Sequence, residues 1–223
     1  MTGAKNNDKL GLEVSGYINY PDKLAEDLGK TIQANGVTDG TMKLTLGDAT
    51  PGVTVIEAGP LQFHFHAPSE HAVDGKLMDL EMHIVHQDTD GGLAVLGIFF
   101  DQGMGGTDEN AFLAALQGDE GIMVGDLVAG LDTSQYWSYP GSLTTPPCSE
   151  GVKWTVLKDV QSIDDEQLAY FNDLWKDKAE FAQGNGNNRE LMPINDRTLY
   201  SSGMGASTMM LGAASLLALL SMW

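Results

Sequence analysis

Cysteine and basic residues are scarce in this chain of 223 residues, and both shortages restrict its function. The one cysteine, Cys148, cannot form an internal disulfide, and its Thr-Thr-Pro-Pro context is typical of a loop rather than of a catalytic thiol. Lys and Arg number 12 against 31 Asp and Glu, which gives a formal net charge of −19. Such a surface repels nucleic acid and anionic lipid, so neither is expected as a partner through charge.

The two ends of the chain lack different features. Residues 1–8 contain no apolar segment, so no signal peptide is recognised there. Residues 203–223 contain no charge and are strongly apolar, and these 21 residues are close to the minimum for a membrane-spanning helix. The small residues Ser201, Ser202 and Gly203 before this tail also resemble a glycolipid-anchor signal. We expect attachment to a membrane at the cell surface or outside the cell, with a helix docked on the domain as the alternative.

Strand patterns dominate the rest of the chain. Alternation predicts strands over 61–66 and 80–86, and the continuous apolar run 93–100 predicts a buried central strand. The pairs Asn35-Gly36 and Asp39-Gly40 predict hairpin turns between two short strands. No linker or repeat interrupts residues 1–200, which are expected to form one domain before the 201–223 tail.

Helical spacing is confined to two short segments. Residues 110–116 show it once, and residues 164–175 show it again. The second helix is expected to start at Ser162, with Asp165 three residues on. These features predict a β-dominated single domain with a few short helices.

All five histidines of the chain fall between residues 64 and 86. On a strand, His64 and His66 point to one face, and on the next strand His83 shares a face with Glu81 and Val85. The short connection permits antiparallel pairing, which would bring the three imidazoles together. Three nitrogen ligands with a fourth position open are typical of a catalytic zinc site, whereas a polar sheet face is the simpler alternative. Gln62 and Glu81, each two residues from a ligand, could orient the imidazoles.

Several spaced blocks carry a resemblance to a known family, over about residues 10–200. The blocks are Gln62–His66, Ser69–Gly75, Glu81–His86, Leu93–Phe99, Tyr139–Pro147 and Asn187–Arg189 with Pro193 and Arg197. Together they resemble the alpha-carbonic anhydrases. The resemblance implies a large, mainly antiparallel twisted sheet with surface helices and a Zn²⁺ ion at the base of a conical cleft. It also implies reversible hydration of CO₂ to bicarbonate and a proton by zinc-bound hydroxide.

The resemblance implies a role for each matched residue. His64, His66 and His83 would be the zinc ligands, and Gln62 and Glu81 their hydrogen-bond acceptors. Thr144 would accept a hydrogen bond from the hydroxide and donate its own proton to Glu70. His71 would be structural, bonding toward Glu81 and Tyr139. The substrate pocket would consist of Val85, Val95, Leu143, Thr144, Thr145, Val152 and Trp154.

The chain also departs from the family pattern. The usual start of the domain does not appear, so the sequence is expected to be N-terminally incomplete, as a fragment, through a wrongly assigned start or by natural shortening. The usual disulfide partner of Cys148 belongs to that part of the family pattern. The proton-shuttling histidine of the family follows an Asn-Gly pair, where this chain has Val37. Val37 cannot carry a proton, so proton release is expected to depend on buffer or water. Ala67 replaces an aromatic residue common in the family after the second ligand.

Three functions remain open at this point. The first is an active carbonic anhydrase, which the intact ligands, Thr144 and Glu70 favour. The second is a non-catalytic binding module, and the third is a zinc hydrolase acting on esters. Zinc content and CO₂ hydration measured on one sample would separate them, whereas the oligomeric state cannot be predicted.

Overall fold

The computed structural model describes residues 5–6, 10–21, 25–28, 30–47, 53–118, 121–176 and 186–202. Its strands are Lys5–Asn6 (β1), Gly11–Ser15 (β2), Ala25–Asp27 (β3), Ile32–Asn35 (β4), Thr41–Gly47 (β5), Val53–His66 (β6), Ala72–Val73 (β7), Lys76–Leu77 (β8), Leu80–Gln87 (β9), Leu93–Phe100 (β10), Tyr136–Ser142 (β11), Glu150–Gln161 (β12) and Tyr200–Ser201 (β13). Its helices are Ala111–Gln117 (α1), Val124–Gly130 (α2) and Asp165–Trp175 (α3). The β-dominated fold predicted from the sequence is confirmed.

One sheet of 11 strands organises the described residues. Its main order is β1-β13-β11-β12-β10-β9-β6-β4-β3, and β5 joins β2 to β6. Most neighbours are antiparallel, while β10 runs parallel to β12. The apolar run predicted as a central strand is β10, which is covered on both sides and therefore needs apolar residues at nearly every position.

The two faces of the sheet have different chemistry. On β9, Leu80, Met82 and Ile84 are fully buried in the main core, together with Phe63 and Phe65 of β6. The residues between them, by the period of two along a strand, point to the opposite face. That face carries His64, His66 and His83 and a second, smaller apolar cluster.

The turn prediction near Asn35 is wrong in its pairing. Strands β4 and β5 exist where expected, but they do not pair with each other. Both instead pair with β6, β5 along its first half and β4 along its second half. Strand β6, with 14 residues, is long enough for β5 and β4 to pair with different parts of it, and a local turn signal cannot reveal this arrangement.

The helix predictions hold with one correction. Helix α1 begins after Asn110, whose side chain accepts hydrogen bonds from the backbone N–H groups of Phe112 and Leu113. Helix α3 begins after Asp164, which forms a reciprocal capping box with Gln167, so the start is not Ser162. Helix α2 contains two glycines in seven residues and gave no helical signal in the sequence.

The apolar tail from residue 203 onward lies outside the described residues. No helix among the residues that the structure describes is both long and apolar enough to cross a membrane. Ser201 pairs with Trp137 of β11, and the buried Ser202 donates its backbone N–H to the Tyr136 carbonyl. The division at residue 200 and the membrane attachment stay predictions.

Candidate metal centre

Two antiparallel strands bring the three candidate ligands together. In the ladder between β6 and β9, His64 lies directly opposite His83, and His66 lies opposite Glu81. Directly paired residues of an antiparallel ladder project to the same face, so all three imidazoles leave the sheet on one side. Phe63 and Phe65 fill the main core on the other side and hold β6 in this register.

The three imidazoles converge closely enough to share one ion. One nitrogen from each of His64, His66 and His83 lies within 4.8 Å of the other two. The ring centroids are 5.0 Å apart for His64 and His66, 5.2 Å for His64 and His83, and 4.7 Å for His66 and His83.

Each imidazole is oriented by a hydrogen bond from its outer nitrogen. His64 Nδ1 donates to Gln62 Oε1 at 2.9 Å, and His83 Nε2 donates to Glu81 Oε1 at 3.0 Å. His66 Nδ1 lies 3.3 Å from the Asn187 carbonyl oxygen. The nitrogens left for a metal are therefore Nε2 of His64, Nε2 of His66 and Nδ1 of His83.

Two of these three nitrogens are buried without a hydrogen-bond partner among the described residues. They are His66 Nε2 and His83 Nδ1. Burying a polar atom without a hydrogen-bond partner destabilises the fold, so an ion or another group is expected to bind these nitrogens. The donor set, three imidazole nitrogens, is one that zinc favours.

The protonation of the site also suits a cation. Burial lowers the pKa of His66 to about 4 and lowers the pKa of His83 as well. Burial, reinforced by the neighbouring imidazoles, holds the pKa of His64 well below its usual value. The three rings are thus neutral at physiological pH, which is the form that coordinates a metal.

Glu81 is a buried hub behind the ligands. Its Oε1 accepts from His71 Nδ1 at 2.6 Å and from His83 Nε2, while its Oε2 accepts the backbone N–H groups of Glu70 and His71 at 2.9 and 3.0 Å. Burial acts to raise the pKa of Glu81, but the electrostatic influence of His71 and His83 and their hydrogen bonds outweigh it, so the pKa lies well below its usual value. His71 Nε2 lies 2.6 Å from the Tyr139 hydroxyl, as the structural role predicted for His71 requires.

Glu70 and Thr144 form a second polar unit beside the imidazoles. Glu70 Oε2 lies 3.4 Å from His66 Nε2 and 4.0 Å from His83 Nδ1. Burial raises the pKa of Glu70, against the opposing effects of His83, the Arg189 N–H and a hydrogen bond from Thr144. The carboxylate whose pKa Thr144 influences therefore also borders the metal-facing nitrogens.

An apolar wall lies against this polar centre. Its buried members, which include Val85, Val95, Val152 and Trp154, form one cluster with the half-buried Leu143 packed against it. The Trp154 ring centroid lies 4.7 Å from that of His83. Every apolar residue predicted for the substrate pocket belongs to this cluster, whereas Thr145 is exposed in the following turn.

The family follows from a comparison over nearly the whole described chain. A family model described as eukaryotic-type carbonic anhydrase matches residues 2–203. The chain belongs to this family. The resemblance inferred from the motifs is therefore confirmed, while the roles of individual residues stay predictions.

Relatives and solved structures agree with this family. A carbonic anhydrase of Klebsiella pneumoniae is 37% identical over 190 residues, which are 82% of this chain and 70% of that protein. Alpha carbonic anhydrase 3 of Arabidopsis thaliana is 34% identical over 63% of this chain, and the match spans 52% of its own length. The structure of the alpha-carbonic anhydrase from Thermovibrio ammonificans with the inhibitor sulfanilamide matches with a TM-score of 0.66 and 33% identity, covering 84% of this chain and 78% of that one.

Sequence reasoning missed two contributions to this carbonic anhydrase site from the C-terminal segment. The Asn187 carbonyl is the partner of His66, and the Arg189 N–H donates to Glu70 Oε1 at 2.8 Å. The buried Asn187 side chain donates hydrogen bonds to the backbone carbonyls of Phe65 and Lys30, and it accepts one from the backbone N–H of Ala67. These bonds fix the C-terminal segment against β6. The Asn-Asn-Arg motif belongs to the family pattern, but both of its contacts with the site use backbone atoms, which no residue pattern reveals.

The position assigned to a missing proton shuttle is wrong in this carbonic anhydrase. Val37 is fully buried in the main core and does not face the cleft. The intervening Gly36 has a φ of +79°, so the alternation of β4 does not continue through it. The residues of β4 that share a face with His64 and Gln62 are Gln33 and Asn35, their direct partners in the ladder.

Proposed function

We propose that this carbonic anhydrase catalyses the reversible hydration of CO₂ to bicarbonate with a zinc ion held by His64, His66 and His83. One observation carries the proposal. Three neutral imidazoles converge on one point, with their outer nitrogens satisfied and two of their inner nitrogens buried without partners. Three protein ligands leave a coordination position open, which is the arrangement of catalytic rather than structural zinc sites.

When bound there, zinc would supply Lewis acidity, lowering the pKa of water from its high bulk value to about 7, so that a hydroxide nucleophile is available at neutral pH. The protein's own residues would direct that nucleophile. The Thr144 hydroxyl would donate its only proton to Glu70, so its oxygen would be left to accept a hydrogen bond. A nucleophile that donates to Thr144 would be oriented by that side chain, next to the apolar wall.

The apolar wall suits a substrate without charge or a strong dipole. Val85, Val95 and Val152 offer no hydrogen bonds, so CO₂ would be held loosely next to His83 rather than fixed by polar contacts. Bicarbonate, which is charged, gains nothing from this surface and is expected to leave it. These three valines offer no polar group to orient a larger ester, so ester hydrolysis is not the preferred function.

The proposal is tested by zinc content and CO₂ hydration on the same purified samples. His83→Ala should bind zinc far more weakly than the wild type and should lose hydration activity. His86→Gln is the matched control, because His86 lies on the same strand but in the main core, bonded to Tyr17. A wild-type protein that binds one zinc and does not hydrate CO₂ would instead support a non-catalytic binding module.

We also propose that residues 203–223 attach the enzyme to a membrane outside the cell or at its surface. The support is the sequence of this segment alone, which is uncharged and apolar over 21 residues. Expression of the full chain in a eukaryotic secretory host, with and without residues 203–223, tests the proposal. Full-length protein that stays in the aqueous fraction with its C-terminal peptide intact contradicts it.

A further inference from the structure

Gly97 lies at the centre of the buried strand behind the zinc ligands. In the ladders of β10, it pairs with His83 on one side and with Val156 on the other. A glycine in the interior of a strand weakens the strand, and it commonly marks a place where another group approaches closely. The group that approaches Gly97 is the carboxylate of Glu81.

The space above Gly97 is too small for a side chain. A Cβ atom at this position would lie 3.0 Å from Glu81 Oε1 and 3.3 Å from Val156 Cγ2. Ordinary contact between a methyl carbon and a neighbouring atom begins at about 3.5 Å, so one of these neighbours must move.

Glu81 is the end of a side chain, but it is not free to yield. It is fully buried, and its two oxygens accept four hydrogen bonds. The oxygen that faces Gly97 is Oε1, the same atom that accepts from His83 Nε2 and His71 Nδ1. A displacement of this oxygen would therefore disturb the hydrogen bond that orients a zinc ligand.

We propose that Gly97 is a positioning residue for the zinc centre, because its missing side chain leaves the space that seats Glu81 under His83. The inference rests on the proposed zinc enzyme and deepens it. Hydrogen-bond partners of metal ligands typically change metal affinity about 10-fold to 100-fold when they are altered. A methyl group at residue 97 is expected to have an effect of this size through Glu81.

The test compares Gly97→Ala with Gly59→Ala in the zinc-loaded, full-length protein. Gly59 lies on β6 of the same sheet, and a Cβ there meets nothing within 4 Å. Zinc dissociation constants are measured by competition with a chromogenic chelator at pH 7. Gly97→Ala should weaken zinc binding about 10-fold to 100-fold, while Gly59→Ala leaves it within about 2-fold. Equal affinities in the two variants overturn the proposal.

A coupled measurement separates positioning from general damage to the strand. In a Glu81→Ala background, the oxygen that a Cβ at residue 97 would meet is gone. Adding Gly97→Ala to that background should therefore cause no further loss of zinc affinity. An additional loss as large as in the wild-type background would show that Gly97 acts independently of Glu81, and would overturn the proposal.

A Gly97→Ala chain that does not fold still leaves a decisive variant. Glu81→Asp shortens the side chain by one methylene and withdraws the carboxylate from residue 97. The double variant Glu81→Asp with Gly97→Ala should then recover a cooperative thermal transition, and its failure to do so overturns the proposal. A wild-type protein that binds no zinc would count against the proposed function instead, since that titration is made before any variant is compared.

Discussion

Glu81 and His83 stand two residues apart on one face of β9, with Glu81 Oε1 3.0 Å from His83 Nε2. Glu81→Gln would place an amide N–H₂ among donors that now point at a carboxylate, so zinc affinity should fall about 10-fold to 100-fold. Gln62, the partner of His64, is only half-buried, and water can replace it in Gln62→Ala. We therefore expect a loss below about 10-fold for Gln62→Ala, measured by chelator competition. Equal losses in the two variants would contradict this ranking.

A hydrogen bond from Thr144 acts to lower the pKa of Glu70, which places this hydroxyl beside the metal-facing nitrogens. Thr144→Ala should retain zinc and lower kcat/KM for CO₂ hydration about 100-fold, the usual cost of a lost hydrogen bond to the reacting group. Thr107→Ala is the matched control, because its exposed side chain lies in the loop between β10 and α1, and it should change kcat/KM by less than about 3-fold. Stopped-flow hydration assays on zinc-matched samples measure both, and an unchanged rate in Thr144→Ala would reduce Thr144 to a turn residue.

His86 makes the fold sensitive to acid. Its ring is buried in the main core beside Tyr17, and burial lowers its pKa from 6.5 to about 4. The unfolded chain therefore binds a proton at higher pH than the folded chain, so stability is lost as the pH falls from about 6.5 toward 4. The loss attributable to His86 should reach about 2 kcal/mol at pH 5 and about 3 kcal/mol once the folded ring titrates.

Urea unfolding at pH 7 and pH 5 measures this effect. Between pH 7 and pH 5, the free energy of unfolding should fall by about 2 kcal/mol less for His86→Gln than for the wild type, because Gln does not titrate. The difference between the two proteins removes the contribution of the zinc ligands, which both retain. Equal losses would mean that another group carries the acid sensitivity.

The convergence of His64, His66 and His83 could be predicted because the information lies in short stretches. Alternation at 62–66 and at 80–86 assigns each side chain to a face, and one antiparallel pairing then joins the two faces. The same reasoning failed for Asn187, which reaches His66 across 121 positions of sequence by a backbone carbonyl. It also failed at Val37, because the positive φ of Gly36 changes which face the next side chain takes. Local patterns specify faces along a strand, whereas loops and distant backbone contacts depend on the assembled sheet.

Because Val37 is buried in the main core, another group must be considered for proton release. Hydration produces a proton, and a group with a pKa near 7 that reaches solvent is needed to carry it away. Neither Gln33 nor Asn35, the β4 residues on the face of His64, can do so, since neither side chain ionises. Turnover at saturating CO₂ is therefore expected to rise with imidazole buffer while kcat/KM stays nearly constant.

Two histidine substitutions distinguish the cleft from the core at this edge. Asn35 is exposed and lies opposite Gln62, so Asn35→His should place an imidazole on the zinc face, raise kcat in dilute buffer and flatten its dependence on imidazole. Val37→His would bury an imidazole among apolar side chains, so it should lower the free energy of unfolding by about 2 kcal/mol or more and leave the buffer dependence unchanged. Stopped-flow kinetics across a buffer series and urea unfolding measure the two effects. A rise in kcat for Val37→His without loss of stability would show that residue 37 faces the cleft. If turnover of the wild type does not depend on buffer, another group already carries the proton.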